Sequence, residues 1–373
     1  MMKIMTVFGT RPEAIKMCPL VLELKKHPDI ETVVCLTGQH REMLRQVMDA
    51  FDIREDYNLD IMKKSQSLTT ITTGVLTGVE GVLDKELPDC VLVHGDTTTS
   101  FSAALACFYR QIPVGHVEAG LRTGNIYSPY PEEMNRLLTG RIASFHFAPT
   151  ERNRANLEHE GITDNVFVTG NTVIDAFATT VRDGHTFREQ ELNCLDYESH
   201  KVILVTAHRR ENLGEPLENI CYALKSIAES DPDVIIVYPV HMNPAVREPV
   251  YRMLGDNRQI ILMDPVDVMD MHNLMARCYM VMTDSGGLQE EAPHFGKPVL
   301  VMRTETERPE AVEAGTVRIV GVDKDMIYSE AHTLLSDPVS YSEMAKAVNP
   351  YGDGHASERI VRILYNSFST LET

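Results

Sequence analysis

Ile4-Met5-Thr6-Val7-Phe8-Gly9-Thr10-Arg11-Pro12-Glu13-Ala14-Ile15-Lys16 is an apolar run that stops at a glycine and passes straight into the marks of a helix start. The run Ile4–Phe8 has strand length and is built from β-branched and aromatic residues. Gly9 permits a tight turn. Pro12 suits the first turn of a helix, where its missing N–H would have found no partner. Strand, turn and helix in immediate succession is how a βαβ unit opens, and the rest of the chain shows the same unit repeated.

Working outward, strands are expected at Thr32–Leu36, Cys90–Val93, Val114–Val117, Phe145–Ala148 and Val166–Thr169. Helical periodicity lies between them at Glu42–Phe51, Ser67–Val82, Ser100–Tyr109 and Pro131–Ile142. Such alternation argues for a parallel sheet covered by helices on both faces. The pattern then restarts, with strands at Val202–Thr206, Val234–Val237, Ile260–Met263, Met280–Met282, Val299–Val301 and Arg318–Val320. Its helices are Leu217–Glu229, Pro244–Leu254, Val268–Arg277 and Leu288–Phe295, and a polar stretch, Asp183–His200, forms a long connection near its start. The fold class is therefore α/β, with two doubly wound Rossmann-like domains and a cleft between them. The expected division is 1–170 and 171–353, with a helix in 354–373 packing back on the first domain.

Bulk properties agree with this and exclude other classes. A chain of 373 residues is too long for one ordinary core. With 43% hydrophobic and 24% charged residues it reads as a globular protein. The net charge of −19 argues against a nucleic-acid partner, because displacing phosphate counterions needs a basic face. Met1–Thr6 hold one lysine and a short apolar run, so no signal peptide is expected, and no apolar run approaches membrane-spanning length. The seven cysteines are scattered with no CxxC pair, the pattern of a reduced, cytoplasmic protein without a zinc site.

In open parallel sheets ligands bind at the carboxyl ends of strands, and the unusual polar residues fall there. After the first strand come Arg11 and Lys16, placed to meet an anion at a helix start; the same segment would also serve as an ordinary capped turn. It is neither a P-loop nor GxGxxG. After the strand at Cys90 comes His94-Gly95-Asp96-Thr97; after the next, Glu118-Ala119-Gly120; then Glu132 and Arg136, four apart on one helix face, the spacing of a surface ion pair. Asp96 alone reads as an N-cap. Together, Asp96, Glu118 and Glu132 at successive loops of one sheet edge read as a catalytic cluster. In the second half, His208 ends one strand. Ser285-Gly286-Gly287 opens the helix after another, presenting backbone N–H groups to a phosphate. Glu291 lies one turn further on and suits ribose hydroxyls, and Arg308 adds a cation. The remaining histidines show no metal-ligand spacing, so no metal is expected.

The motifs GTRPEAIK, HGDTTTS, HVEAGLRTG, PEEMNR, TAHRREN, TDSGGLQEEAP, TERPE and NPYGDGHASERI occur in order along nearly the whole chain. Together they resemble the non-hydrolysing UDP-N-acetylglucosamine 2-epimerases. The resemblance implies the GT-B architecture and reversible epimerisation at carbon 2 of UDP-N-acetylglucosamine, giving UDP-N-acetylmannosamine, with no cofactor. It implies catalytic roles for Asp96, Glu118, Glu132 and His208. Arg11, Lys16, Arg136, Ser285, Gly286, Gly287, Glu291 and Arg308 would hold the substrate. A second UDP-N-acetylglucosamine acts as an activator in several members, and Gln39, His40, Gln66, Arg209 and His241 fall on that region; Glu42 and Ser65 differ from a glutamine and an arginine used there in some of them. A homodimer and a place in cell-envelope polysaccharide biosynthesis are further expectations. The alternative enzyme reading is a GT-B glycosyltransferase. A redox epimerase with bound NAD is disfavoured by the missing glycine fingerprint.

Overall fold

Seven parallel strands form the first sheet of the computed structural model, which describes residues 1–38, 41–62 and 66–369. They are β1 (Met2–Phe8), β2 (Ile30–Leu36), β3 (Tyr57–Asn58), β4 (Cys90–His94), β5 (Val114–Val117), β6 (Phe145–Ala148) and β7 (Val166–Val168), in the order β3-β2-β1-β4-β5-β6-β7. The second sheet holds β8 (Lys201–Thr206), β9 (Val234–Pro239), β10 (Ile260–Met263), β11 (Met280–Thr283), β12 (Val299–Val301) and β13 (Val317–Ile319), in the order β10-β9-β8-β11-β12-β13. All pairings in both sheets are parallel. Each sheet starts in the middle, runs to one edge, and returns to build the other half, the doubly wound order.

The strands are buried because helices cover them. On one face of the first sheet, Met5, Val7, Val33, Cys35, Val91, Val93 and Val114 pack against Val75, Val79, Val82 and Leu83 of helix Leu68–Glu86 and Ala103, Ala104 and Cys107 of helix Thr98–Tyr109. In the second, Ile203, Val205, Ile236, Tyr238, Met280 and Met282 pack with Leu217, Ile220 and Leu224 of helix Glu215–Ser230. Cys18, Cys35, Cys90, Cys107, Cys221 and Cys278 are buried and behave as small hydrophobes. Burial pushes the Cys35 and Cys90 thiols up to about 12, leaving them unreactive.

The chain divides into two compact units: Met1–Thr179 together with the segment from Tyr351 on, and Thr180–Pro350. The sequence placed these divisions at 170/171 and 353/354. Helix Thr172–Thr180 goes with the first unit because the buried Asp175 carboxylate accepts the N–H groups of Ala356 at 3.2 Å and Ser357 at 2.6 Å, capping helix Ala356–Ser369. That last helix lies against helix Arg11–Lys25. No described helix is long and apolar enough to cross a membrane.

Candidate active site

In each sheet the strand order reverses between two central neighbours, β1 and β4 in the first and β8 and β11 in the second. Loops leaving such a pair diverge and open a crevice. The first unit places Gly9-Thr10 and Gly95-Asp96 there. Gly9 is required by close approach, since a Cβ on it would stand 1.9 Å from Thr37 Oγ1.

A residue not singled out from the sequence organises this crevice. Glu13 is 2% exposed, and its Oε2 accepts the N–H groups of Gly9 at 3.0 Å and Thr10 at 2.8 Å. Its Oε1 accepts the hydroxyls of Thr97 at 2.6 Å and Ser100 at 3.2 Å. One carboxylate thus ties the loop after β1 to the start of the helix after β4. The signal was present in Thr10-Arg11-Pro12-Glu13, a capping box before an apolar run.

The three acids meet different surroundings. Asp96 is held by the guanidinium of Arg136, which also donates to Glu133 at 3.2 Å. Glu133 in turn accepts the N–H groups of Thr123 and Gly124, each at 3.0 Å. Arg136 therefore pairs with Asp96 and Glu133 rather than with Glu132 one turn away. Glu118 follows β5 with φ 64, left-handed backbone that a glutamate seldom adopts. Its Oε2 meets the ammonium of Lys16, His94 Nε2 at 3.3 Å and Asn171 Nδ2 at 3.4 Å. Burial alone would push the Glu118 carboxyl up, but Lys16 and His94 outweigh it and hold the group well below the usual carboxylate range. Glu132 opens helix Glu132–Ile142, and its buried Oε2 has no hydrogen-bond partner among the described residues. Arg11, at the first position of its helix, has neither hydrogen bond nor ion pair among the described residues, so its guanidinium is available to a ligand.

The second unit repeats the logic with cations. Ser285 caps helix Gly286–Glu291 without using its hydroxyl on the backbone. Around Gly286 stand two guanidiniums: a Cβ there would lie 3.7 Å from Arg308 Nη2 and 3.8 Å from Arg209 Nη2. Arg308 is steadied by the buried Glu290, and Arg209 Nε donates to the Asp284 carbonyl at 3.3 Å. Glycine N–H groups, a hydroxyl that caps no backbone N–H and two forks are donors suited to a diphosphate. Glu291 lies 3.6 Å from His272 Nε2, and its side chain keeps 14% exposure. The ring of His208 stacks on His241 at a centroid distance of 5.1 Å. Partial desolvation lowers the His208 pKa from its ordinary value; Asp284 opposes this, while His241 and Arg209 add to it.

Of the residues assigned by resemblance to the activator, Gln39 and His40 lie outside the described residues, as does Ser65. Gln66 Nε2 donates to the Ile61 carbonyl at 2.7 Å in the first unit. Arg209 and His241 stand with Gly286 and His208 in the second. Among the described residues no group of three or more His, Cys, Asp or Glu side chains could hold a metal ion.

Two doubly wound parallel sheets, each with polar loops at its switch point, define an α/β protein of the GT-B class with two Rossmann-like domains. Residues 22–365 match the family model described as UDP-N-acetylglucosamine 2-epimerase. The UDP-N-acetylglucosamine 2-epimerase of Bacillus subtilis is 56% identical over 364 residues, covering 97% of this chain and 95% of that protein. The enzyme of the same name from Escherichia coli K12 is 55% identical over 373 residues, with 98% and 99% covered. The crystal structure of UDP-GlcNAc 2-epimerase from Neisseria meningitidis bound to UDP-GlcNAc superposes with a TM-score of 0.88 at 49% identity, covering 98% of this chain and 100% of that one. The chain belongs to the UDP-N-acetylglucosamine 2-epimerase family.

Proposed function

We propose that this chain interconverts UDP-N-acetylglucosamine and UDP-N-acetylmannosamine by removing UDP and adding it back across 2-acetamidoglucal. Carbon 2 has no neighbouring carbonyl, so its proton is not acidic enough for direct removal. As the bond from the anomeric carbon to UDP breaks, that carbon gains oxocarbenium character and the proton on carbon 2 becomes acidic. A carboxylate takes the proton, and the C–H electron pair becomes the double bond between carbons 1 and 2. Return of a proton to the opposite face and re-addition of UDP give the epimer.

The observation that supports this reading is that Asp96 after β4, Glu118 after β5 and Glu132 at the start of the next helix meet three different environments. Glu118 is ionised beside Lys16 and His94, Asp96 is paired with Arg136, and Glu132 has a buried oxygen free of partners among the described residues. Groups set apart in this way can divide the roles of base and acid. Arg11, His208, Arg209, Arg308 and the Ser285-Gly286-Gly287 turn would stabilise charge growing on the departing diphosphate. Glu291 would accept the ribose hydroxyls. The proposal also takes a second UDP-N-acetylglucosamine as activator at Gln39, His40, Gln66, Arg209 and His241, a homodimer, and a cytoplasmic location.

Proton NMR of the purified protein with UDP-N-acetylglucosamine in deuterium oxide tests the chemistry. UDP-N-acetylmannosamine carrying deuterium at carbon 2 is expected. Epimer that keeps its original proton, or bound substrate left unchanged, would sink the proposal. Asp96→Asn, Glu118→Gln and Glu132→Gln should each lower turnover by about two orders of magnitude or more. Near-normal turnover in any one removes that residue from the scheme.

A further inference from the structure

His208 and Arg209 are consecutive residues in the irregular loop after β8, and nothing regular in the backbone fixes them there. Their N–H groups both end on one atom, Oδ2 of Asp284, each at 2.8 Å. Asn212 Nδ2 donates a third hydrogen bond to the same oxygen at 3.0 Å and a further one to the Met302 carbonyl at 3.1 Å. Asp284 follows β11, the sheet neighbour of β8, and directly precedes Ser285. It is fully buried, so it cannot touch a ligand itself. Its other oxygen, Oδ1, has no hydrogen-bond partner among the described residues.

We propose that Asp284 is the positioning residue of the diphosphate site, setting the His208 ring and the Arg209 fork relative to Ser285, Gly286 and Gly287. Hydrogen bonds to an ionised acceptor are roughly twice as strong as neutral ones. Two adjacent peptide groups anchored on one carboxylate fix the backbone positions from which both side chains leave. Displacement of a catalytic group by about 1 Å can cost about a hundredfold in rate, so a rigid mount for His208 and Arg209 has a kinetic consequence. Asp284 also acts through charge. The groups facing His208 are Asp284, His241 and Arg209, and of these only Asp284 favours the protonated ring. This inference rests on the reading of His208 and Arg209 as groups that meet the departing diphosphate.

The test compares Asp284→Asn and Asp284→Ala in the full-length protein by steady-state kinetics, UDP calorimetry and NMR titration of histidine-labelled protein. Asparagine keeps an acceptor oxygen and loses the charge. Asp284→Asn should unfold within a few degrees of the parent. It should show kcat lowered and UDP affinity weakened by about tenfold each, with the His208 titration moved to lower pH. Asp284→Ala should lose more of both; if it does not fold, the asparagine variant alone decides. Parent values of kcat, UDP affinity and the His208 titration in Asp284→Asn would overturn the proposal. His208→Ala separates the two layers. If that variant turns over normally, the reading of His208 fails, and the UDP affinity of Asp284→Asn decides whether Asp284 still positions Arg209.

Discussion

Single residues show how local chemistry sets behaviour here. His116 lies in β5, fully buried, with Nε2 at 2.7 Å from the Gly95 carbonyl, in the loop that carries Asp96. Burial lowers its pKa from 6.5 to about 3. Between those values the unfolded chain binds a proton that the folded one refuses, so stability falls on acidification from about 6.5 down to about 3. Replacing it by glutamine should flatten that part of the profile, read as denaturant midpoints at neutral and mildly acidic pH; an unchanged slope would refute the assignment. Gly286→Ala should fold normally, because the added methyl meets nothing closer than 3.7 Å. It stands where the two guanidiniums converge, so UDP should bind about tenfold or more weakly by calorimetry. The positions of Asp96, Glu118 and His208 beyond strand ends were legible because each comes within two residues of a β-branched run of strand length. Glu13 and Asp284 were not: a carboxylate at a strand–helix junction reads as a cap, and only the folded chain shows which distant amides and hydroxyls it meets.

Among the elements, helix Ala356–Ser369 depends on a cap supplied from far away in sequence. Asp175→Ala removes the acceptor of the Ala356 and Ser357 N–H groups and should cost about 1–2 kcal/mol in denaturant unfolding. A loss below a few tenths would show that the N–H groups find other partners. The central strands were legible to within a residue or two, since a parallel sheet buried on both faces needs continuous apolar runs. The edge strand β3, Tyr57–Asn58, was not, because two residues carry no periodicity. The expected helix Leu288–Phe295 is two pieces, Gly286–Glu291 and a tighter 3-10 turn, Ala292–Phe295. Pro293 lacks the N–H that would continue the α-helical ladder.

At the scale of the molecule, the second unit, Thr180–Pro350, is continuous in sequence and has its own sheet and core. Expressed alone, residues 180–350 should unfold in a single cooperative transition and bind UDP, yet leave UDP-N-acetylglucosamine unaltered, because Asp96, Glu118 and Glu132 lie outside them. A segment without a melting transition would show that its core is not self-sufficient. The restart of the βα pattern made two domains legible, whereas the capping of the last helix by Asp175 rests on a pairing between residues remote in sequence. That discontinuity governs the order of events on the ribosome. Domains ordinarily form in the order in which they are translated. Here the domain begun first is interrupted by the whole of the second and must wait for Tyr351 and the residues after it. Until they emerge, the face of helix Arg11–Lys25 that meets the last helix stays uncovered. A translation arrest before the residues from Tyr351 on have emerged would leave that surface for chaperones to shield, even where the later-made domain is already finished.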